Sequence, residues 1–240
     1  WGPYFSAMVP GMWLNEGGQS AAGAAIEQLI ASHPATQEAA EMARAEGESL
    51  PTFLAARATR RAASLPEAVL LADGLHVVPE FLGNRAPFAD PHARAVIAGL
   101  GMERDIDNLA ALYVAGLCGI GYGLRQIVET QEQAGAHVER IMISGGAGQL
   151  PLVRQLLADT TGLPVLSAKS DEPVLLGSAI LGAMAGGLVT DMRDGMSRLS
   201  STGETVWPAG GDIAALHSRR YDAFLALQDV ARSLRSITQG

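Results

Sequence analysis

The sequence predicts a single α/β domain, and three observations lead there. An apolar, β-branched run over residues 138–144 ends in Gly145-Gly146-Ala147-Gly148 and feeds a helical pattern over 150–161, the strand–turn–helix unit of layered α/β folds. A second short strand at Val165-Leu166 and a helix over 175–185 repeat that alternation. Upstream, Leu109, Leu112, Gly116, Ile120, Leu124, Ile127 and Gln131 recur at helical spacing and mark the longest helix, from Asp105 or Asp107 to Gln133. Neither an internal repeat nor a long linker divides the 240 residues, so 1–240 reads as one domain.

In chain order, residues 5–14 carry β-branched and aromatic character around Pro10-Gly11, as a strand or a bent hairpin does. A turn over 15–20 opens an Ala-rich helix that runs to about Ser32, with Ile26, Leu29 and Ile30 on one face. Pro34 stops it. Thr36 is placed to cap a second helix over 37–47, and a third covers 53–63. Strands over 74–79 and 94–100 flank a loop, 82–91, in which Asp90-Pro91 suits an Asx-type turn. Within the long helix Gly116, Gly119, Gly121 and Gly123 each cost about 1 kcal/mol against Ala. Four such costs predict a close-packed neighbour, and the sheet containing Ile141-Met142-Ile143 is the expected one. Ser170-Asp171-Glu172-Pro173 leads into the 175–185 helix with its carboxylates as capping groups, and helices over 191–199 and 218–237 close the chain.

Composition narrows the function. Apolar residues make up 48% and charged residues 18%, which excludes a disordered chain. A formal net charge of −8 with no clustered cationic face argues against nucleic acid as a partner. The adjacent pairs Arg60-Arg61 and Arg219-Arg220 read as solvated helix faces. Lys169 is the only lysine, and Ser167-Ala168-Lys169-Ser170 does not supply a P-loop. Cys118 stands alone in an apolar run as a small buried hydrophobe, so no disulfide framework exists and a reducing cytoplasm is the expected compartment. Residues 174–189, the most lipid-like stretch, are too few and too rich in Gly and Ala to span a bilayer, so no membrane partner is expected. His33, His76, His92, His137 and His217 show no zinc spacing and read as surface or cap residues. Ser144 precedes its glycines, which is not the G-x-S-x-G elbow of a serine hydrolase.

Two glycine-bearing turns that open helices remain. A strand ending in Gly145-Gly146 lets backbone N–H groups meet a phosphate at the positive end of a helix, where a Cβ would hold the ligand off. The second, Gly17-Gly18-Gln19-Ser20-Ala21-Ala22-Gly23, leads into the first helix. Together they suggest two walls of one nucleotide pocket.

These segments resemble a known family. Residues 17–27, Gly17 to Glu27, resemble the helix-opening nucleotide segment of FGGY carbohydrate kinases. Residues 81–95 are similar to that family's loop of the form G-x-R-x-P-x-x-D-x-x-A-R-G. The long helix and Ile141-Met142-Ile143-Ser144-Gly145-Gly146 after it are similar to its long helix and strand-Gly-Gly adenosine motif, and 173–183 resembles its closing helix. The order is the family's own along nearly the whole chain. Residues 1–20 resemble the ribulokinase-like branch most.

The resemblance implies an actin-like, ribonuclease-H-like fold in two lobes with ATP and Mg2+ between them, this chain being the C-terminal lobe. It places Gly23 and Glu27 on one side of the nucleotide and Gly145 and Gly146 on the other. Leu150 stands where the family often has an Asn near the adenine, so an apolar contact replaces a hydrogen bond. The family's D-x-G-T segment and catalytic Asp have no counterpart here, so no catalytic residue is expected in this chain. The implied function is transfer of the ATP γ-phosphate to a ketopentose, D-ribulose first, releasing ADP. Xylulose, ribitol or glycerol kinase is the near alternative, and a non-catalytic actin-like sensor the distant one. The implied partners are a small sugar and an N-terminal lobe of the same protein, with Trp1-Gly2-Pro3-Tyr4 reading as the middle of a longer chain; a homodimer is left open.

Overall fold

Tyr4–Phe5 (β1) and Trp13–Leu14 (β2) pair antiparallel and form the expected hairpin, with Phe5 and Trp13 ring to ring at 4.9 Å. The structure is a computed structural model that describes residues 2–170 and 172–239. Trp1, part of the ribulokinase-like segment, and Asp171, expected to cap a helix, lie outside the described residues.

Helix α1, Ala22–Ala31, buries Ala25, Ile26, Leu29 and Ile30, the face that the apolar spacing marks. Helix α2, Thr36–Ala45, starts at Thr36 instead of being capped by it. The Thr36 hydroxyl turns back to the Ile30 carbonyl, and His33 Nδ1 accepts the Ala35 amide at 3.1 Å. Helix α3, Leu50–Arg61, is capped by Ser49 and leads to a 3-10 turn, Pro66–Ala72, that the sequence pattern does not mark. His76–Val78 (β3) and Val96–Ala98 (β4) then pair antiparallel around the loop 82–91.

Helix α4, Ile106–Gln133, is the axis of the core, and Asp105 caps it by accepting the Asn108 amide at 2.8 Å. Its glycines do mark close packing, but not on the sheet of Ile141–Ile143. A Cβ on Gly116 would stand 2.5 Å from Leu29 of α1, and one on Gly119 would stand 2.3 Å from the Val77 carbonyl of β3. A Cβ on Gly121 would lie 2.0 Å from Thr160, and one on Gly123 3.0 Å from Gln19. Each glycine admits a different neighbour around the helix. Helix α5, Pro151–Thr161, packs on both α4 and the strands of that sheet.

Ile141–Ile143 (β5) and Val165–Ala168 (β6) run parallel, with Ile141 opposite Val165 and Met142 opposite Leu166. Thr202–Val206 (β7), a strand that the sequence pattern does not predict, adds antiparallel to the other edge of β6. Between β6 and β7 the chain makes α6, Pro173–Ala185, and α7, Met192–Leu199, which pack on each other. Glu172 precedes α6 but its side chain makes no capping bond, contrary to expectation. Helix α8, Gly211–Gln239, begins earlier than the expected Ser218 and returns over α5 and β3.

Three polar residues are more buried than the sequence pattern suggests. His217 is 1% exposed and bonds Tyr122 Oη through Nδ1 at 2.8 Å, so it is a core residue, not a surface one. Burial, helped by Arg220 and Arg125, lowers its pKa to about 4, and it is neutral in the fold. His33 is also buried, against Asn108. Arg220 is no solvated face either: it is buried and donates to the Ala72 and Leu75 carbonyls at 3.0 and 2.6 Å. Cys118 behaves as expected, fully buried with its thiol pushed up to about 12. Among the described residues, α4 is the one helix long and apolar enough to cross a membrane, and most of it is buried inside the protein.

Candidate functional site

Beyond β5 the backbone passes through Gly145 at φ 92° and ψ 172°, a conformation that a side chain strongly disfavours. Gly146–Gln149 then forms a short 3-10 turn, tightened by bonds from Gly148 N–H to the Gly145 carbonyl (3.0 Å) and from Leu150 N–H to the Ala147 carbonyl (3.2 Å). Gly148 is where the turn meets the body, since a Cβ there would touch Ile143 at 3.0 Å. At Gly145 and Gly146 nothing lies within 4 Å of where a Cβ would stand, and both are exposed. The turn thus presents bare backbone to solvent at the start of α5, whose first residue, Pro151, has no amide to satisfy. Helix dipole and backbone geometry there both favour an anion.

Leu150 is half-buried at the same helix start and packs partly against the core. Arg154, one turn further, carries no sequence signal of its own. It is 8% exposed and its Nη1 donates to the carbonyls of Gly148 (2.9 Å) and Gln149 (3.2 Å), while Nη2 reaches Glu204 of β7 at 3.1 Å.

The second glycine turn is fixed to α4. Gln19 donates from Nε2 to the Ile120 carbonyl at 2.7 Å and occupies the space that Gly123 leaves. Ala21 then takes a left-handed conformation, φ 53° and ψ 49°, and no side chain caps the first amides of α1. Gly23 and Glu27 lie one helical turn apart on α1 and are both exposed, whereas Ile26 and Leu29 are buried. Nothing lies within 4 Å of a Cβ position at Gly23.

Gly23, Glu27, Gly145 and Gly146 are therefore all accessible at two helix starts, with Leu150 half inside. Two cavities among the described residues, of about 390 and 410 Å³, touch neither Gly23 nor the Gly145-Gly146 turn. One lies beside Trp13, Glu16 and Gln131, the other beside His33, Asn108 and Met102.

In the loop 82–91, Asp90 accepts the His92 amide at 2.9 Å, the expected Asx-type turn, and pairs with Arg235 of α8 at 2.5 Å. The hydrogen bond from Arg235 leads in holding its carboxyl below the usual range. Arg232 stacks on Phe88, 3.7 Å from the ring centre, so α8 pins this loop twice. Among the described residues no three His, Cys, Asp or Glu side chains converge as metal ligands.

Residues 1–186 match the profile described as the FGGY family of carbohydrate kinases, C-terminal domain. The chain belongs to that family. An FGGY carbohydrate kinase domain-containing protein of Xenopus laevis is 40% identical over 99% of this chain, which covers 43% of that protein. A D-ribulokinase of Saccharomyces cerevisiae is 38% identical over 77% of the chain and 26% of its own length. Among solved structures, a xylulose kinase from Rhodospirillum rubrum superposes with a TM-score of 0.70 at 26% identity, over 94% of this chain and 41% of that one. This FGGY chain thus has the actin-like fold of the family's C-terminal lobe, and it spans less than half the length of these relatives. Sugar kinases of the family are ATP-dependent phosphotransferases.

Proposed function

We propose that this chain, residues 1–240, is the nucleotide-binding lobe of an ATP-dependent carbohydrate kinase that phosphorylates a ketopentose, D-ribulose first. The observation that carries the reading is the open Gly145-Gly146 backbone between β5 and α5, where neither side chain nor neighbour stands in the way of a phosphate.

In this reading the Gly145-Gly146 turn meets the phosphates and ribose, Gly23 and Glu27 approach from α1, and the exposed part of Leu150 meets the base. Mg2+ arrives on the phosphates, because the described residues offer no cage of their own for it. Phosphoryl transfer needs nucleophile, metal and γ-phosphate positioned together, so the base that takes the sugar's proton comes from a second lobe of the same protein. The exposed apolar residues of α6, Val174, Leu175 and Leu181, supply surface for that lobe to cover. A cytoplasmic compartment suits the single buried thiol of Cys118.

D-ribulose is preferred because the yeast relative is named a D-ribulokinase and residues 1–20 resemble that branch. The likeness to a solved xylulose kinase makes xylulose the second reading. Coupled ADP release, measured with D-ribulose, xylulose, ribitol and glycerol on the natural polypeptide containing this chain, decides between them. The expected result is the highest kcat/KM with D-ribulose and no turnover by the 240-residue chain alone. A preference for xylulose or glycerol removes the substrate. Nucleotide binding without turnover of any sugar favours a sensor, and robust turnover by the isolated chain overturns the lobe reading.

A further inference from the structure

We propose that Arg154 is a positioning residue for the nucleotide: it holds the back of the Gly145–Gln149 turn so that the front presents backbone to the phosphates. The proposal rests on the nucleotide reading of that turn and adds a side chain that does not touch the ligand.

The geometry is specific. Within a peptide plane the C=O and N–H point in opposite directions. Arg154 Nη1 draws two successive carbonyls, Gly148 and Gln149, inward at 2.9 and 3.2 Å. Those two planes are therefore anchored from beneath, on a residue of α5 itself and through Nη2 to Glu204 on β7; the first plane turns the Gln149 N–H outward, while the Leu150 N–H of the second is held by the Ala147 carbonyl. The three elements that meet at the turn, β7, α5 and the glycine segment, are joined by one guanidinium. An arginine supplies this because the two nitrogens of its planar fork reach the carbonyls and the carboxylate separately, a spread that the single nitrogen of a lysine lacks.

The electrostatics point the same way. The Arg154 side chain is 10% exposed, whereas that of its only carboxylate partner among the described residues, Glu204, is 69% exposed. A pair so lopsided is screened on the acidic side alone. Among the described residues Arg154 Nε has no partner. The result is an incompletely compensated positive charge directly beneath a turn of bare backbone, the sign that a polyphosphate requires. Placing a cation there costs desolvation, which a purely structural clamp could avoid with a neutral donor.

Steady-state kinetics of the natural polypeptide containing this chain tests the role, with ATP and sugar varied separately and the melting temperature recorded for each variant. Arg154→Met is expected to raise KM for ATP about tenfold, the loss of one charge-assisted interaction, and to leave KM for the sugar within about twofold. Arg154→Lys, which keeps the charge and one donor, is expected to recover part of that, with KM for ATP raised about threefold. A merely structural role predicts instead a lowered melting temperature with both KM values unchanged or moved together, and either pattern overturns the proposal. If Arg154→Met does not fold, Arg154→Lys carries the test, and a KM for ATP equal to that of the unaltered protein overturns the proposal. Absence of nucleotide binding by the unaltered protein would overturn the site itself and this role with it; nucleotide binding that both variants leave intact overturns the role alone.

Discussion

Helices α4 and α6 are both apolar, yet they end in opposite surroundings. Of the 28 residues of α4, 16 are buried. α6 is richer still in apolar residues but buries Ile180 alone, leaving Val174 76%, Leu175 64% and Leu181 50% exposed. The difference lies in partners. α4 has α1, α3, α5 and β3 around it, and toward α1, α5 and β3 the sequence has given up a side chain, as at Gly119 under the Val77 carbonyl. α6 has α7 and little else, and a Cβ at Gly177 or Gly182 would meet nothing within 4 Å. Apolar composition states that an element needs cover but does not name the cover. Under the proposed function, this uncovered apolar helix inside the matched region 1–186 is surface for a second lobe to cover.

The largest expected effect breaks the packing of α4. Gly119→Ala puts a methyl 2.3 Å from a backbone carbonyl that cannot swing away, and urea unfolding is expected to show a loss of about 3 kcal/mol or more. A loss below about 1 kcal/mol would mean that the α4–β3 contact yields.

Next is the buried histidine against α4. His217 has a folded pKa of about 4, below its ordinary 6.5, and faces Tyr122, Arg220 and Arg125. Its unfolded form binds the proton first, so stability is complete above pH 6.5 and falls as pH drops to about 4. The full loss is about 3 kcal/mol, from about 1.4 kcal/mol per pKa unit. Asp159, raised by burial, works the other way at the acid end, so the measurement is the difference between the unaltered protein and His217→Gln across that range. Parallel pH profiles for the two would contradict the assignment.

The smallest effect belongs to α6. Gly182→Ala is expected to stabilise the 240-residue chain by about 0.5–1 kcal/mol, because the added methyl finds open space in a helix. If the same change destabilises the natural polypeptide, a close-packed surface covers this face there, and the contrast between the two helices is one of context alone.

Much of this arrangement is legible in the residues. The Asp105 cap, the apolar face of α1, the β5–turn–α5 unit and the Asx-type turn at Asp90 all arise from local chemistry within a few positions. What is not legible depends on contacts distant in sequence. Thr202–Val206 carries a glycine and a glutamate and becomes a strand only because β6 offers an edge. The glycines of α4 announce close neighbours without identifying them, which is why their pattern points to the wrong sheet. In the candidate site the glycine turns stand out because glycine is a conformational signal. Arg154 and Gln19 do not, since only the folded backbone puts the Gly148 and Ile120 carbonyls in their reach.

The nucleotide reading is tested most directly by titration calorimetry of MgADP into the natural polypeptide containing this chain, before and after Gly146→Val. A Cβ at Gly146 meets nothing within 4 Å, so the variant should fold with an unchanged melting temperature. The added side chain then stands between backbone and phosphate, and affinity should fall about tenfold or more, at least about 1.4 kcal/mol. Unchanged ADP affinity in that folded variant would contradict the placement of the nucleotide at the Gly145-Gly146 turn.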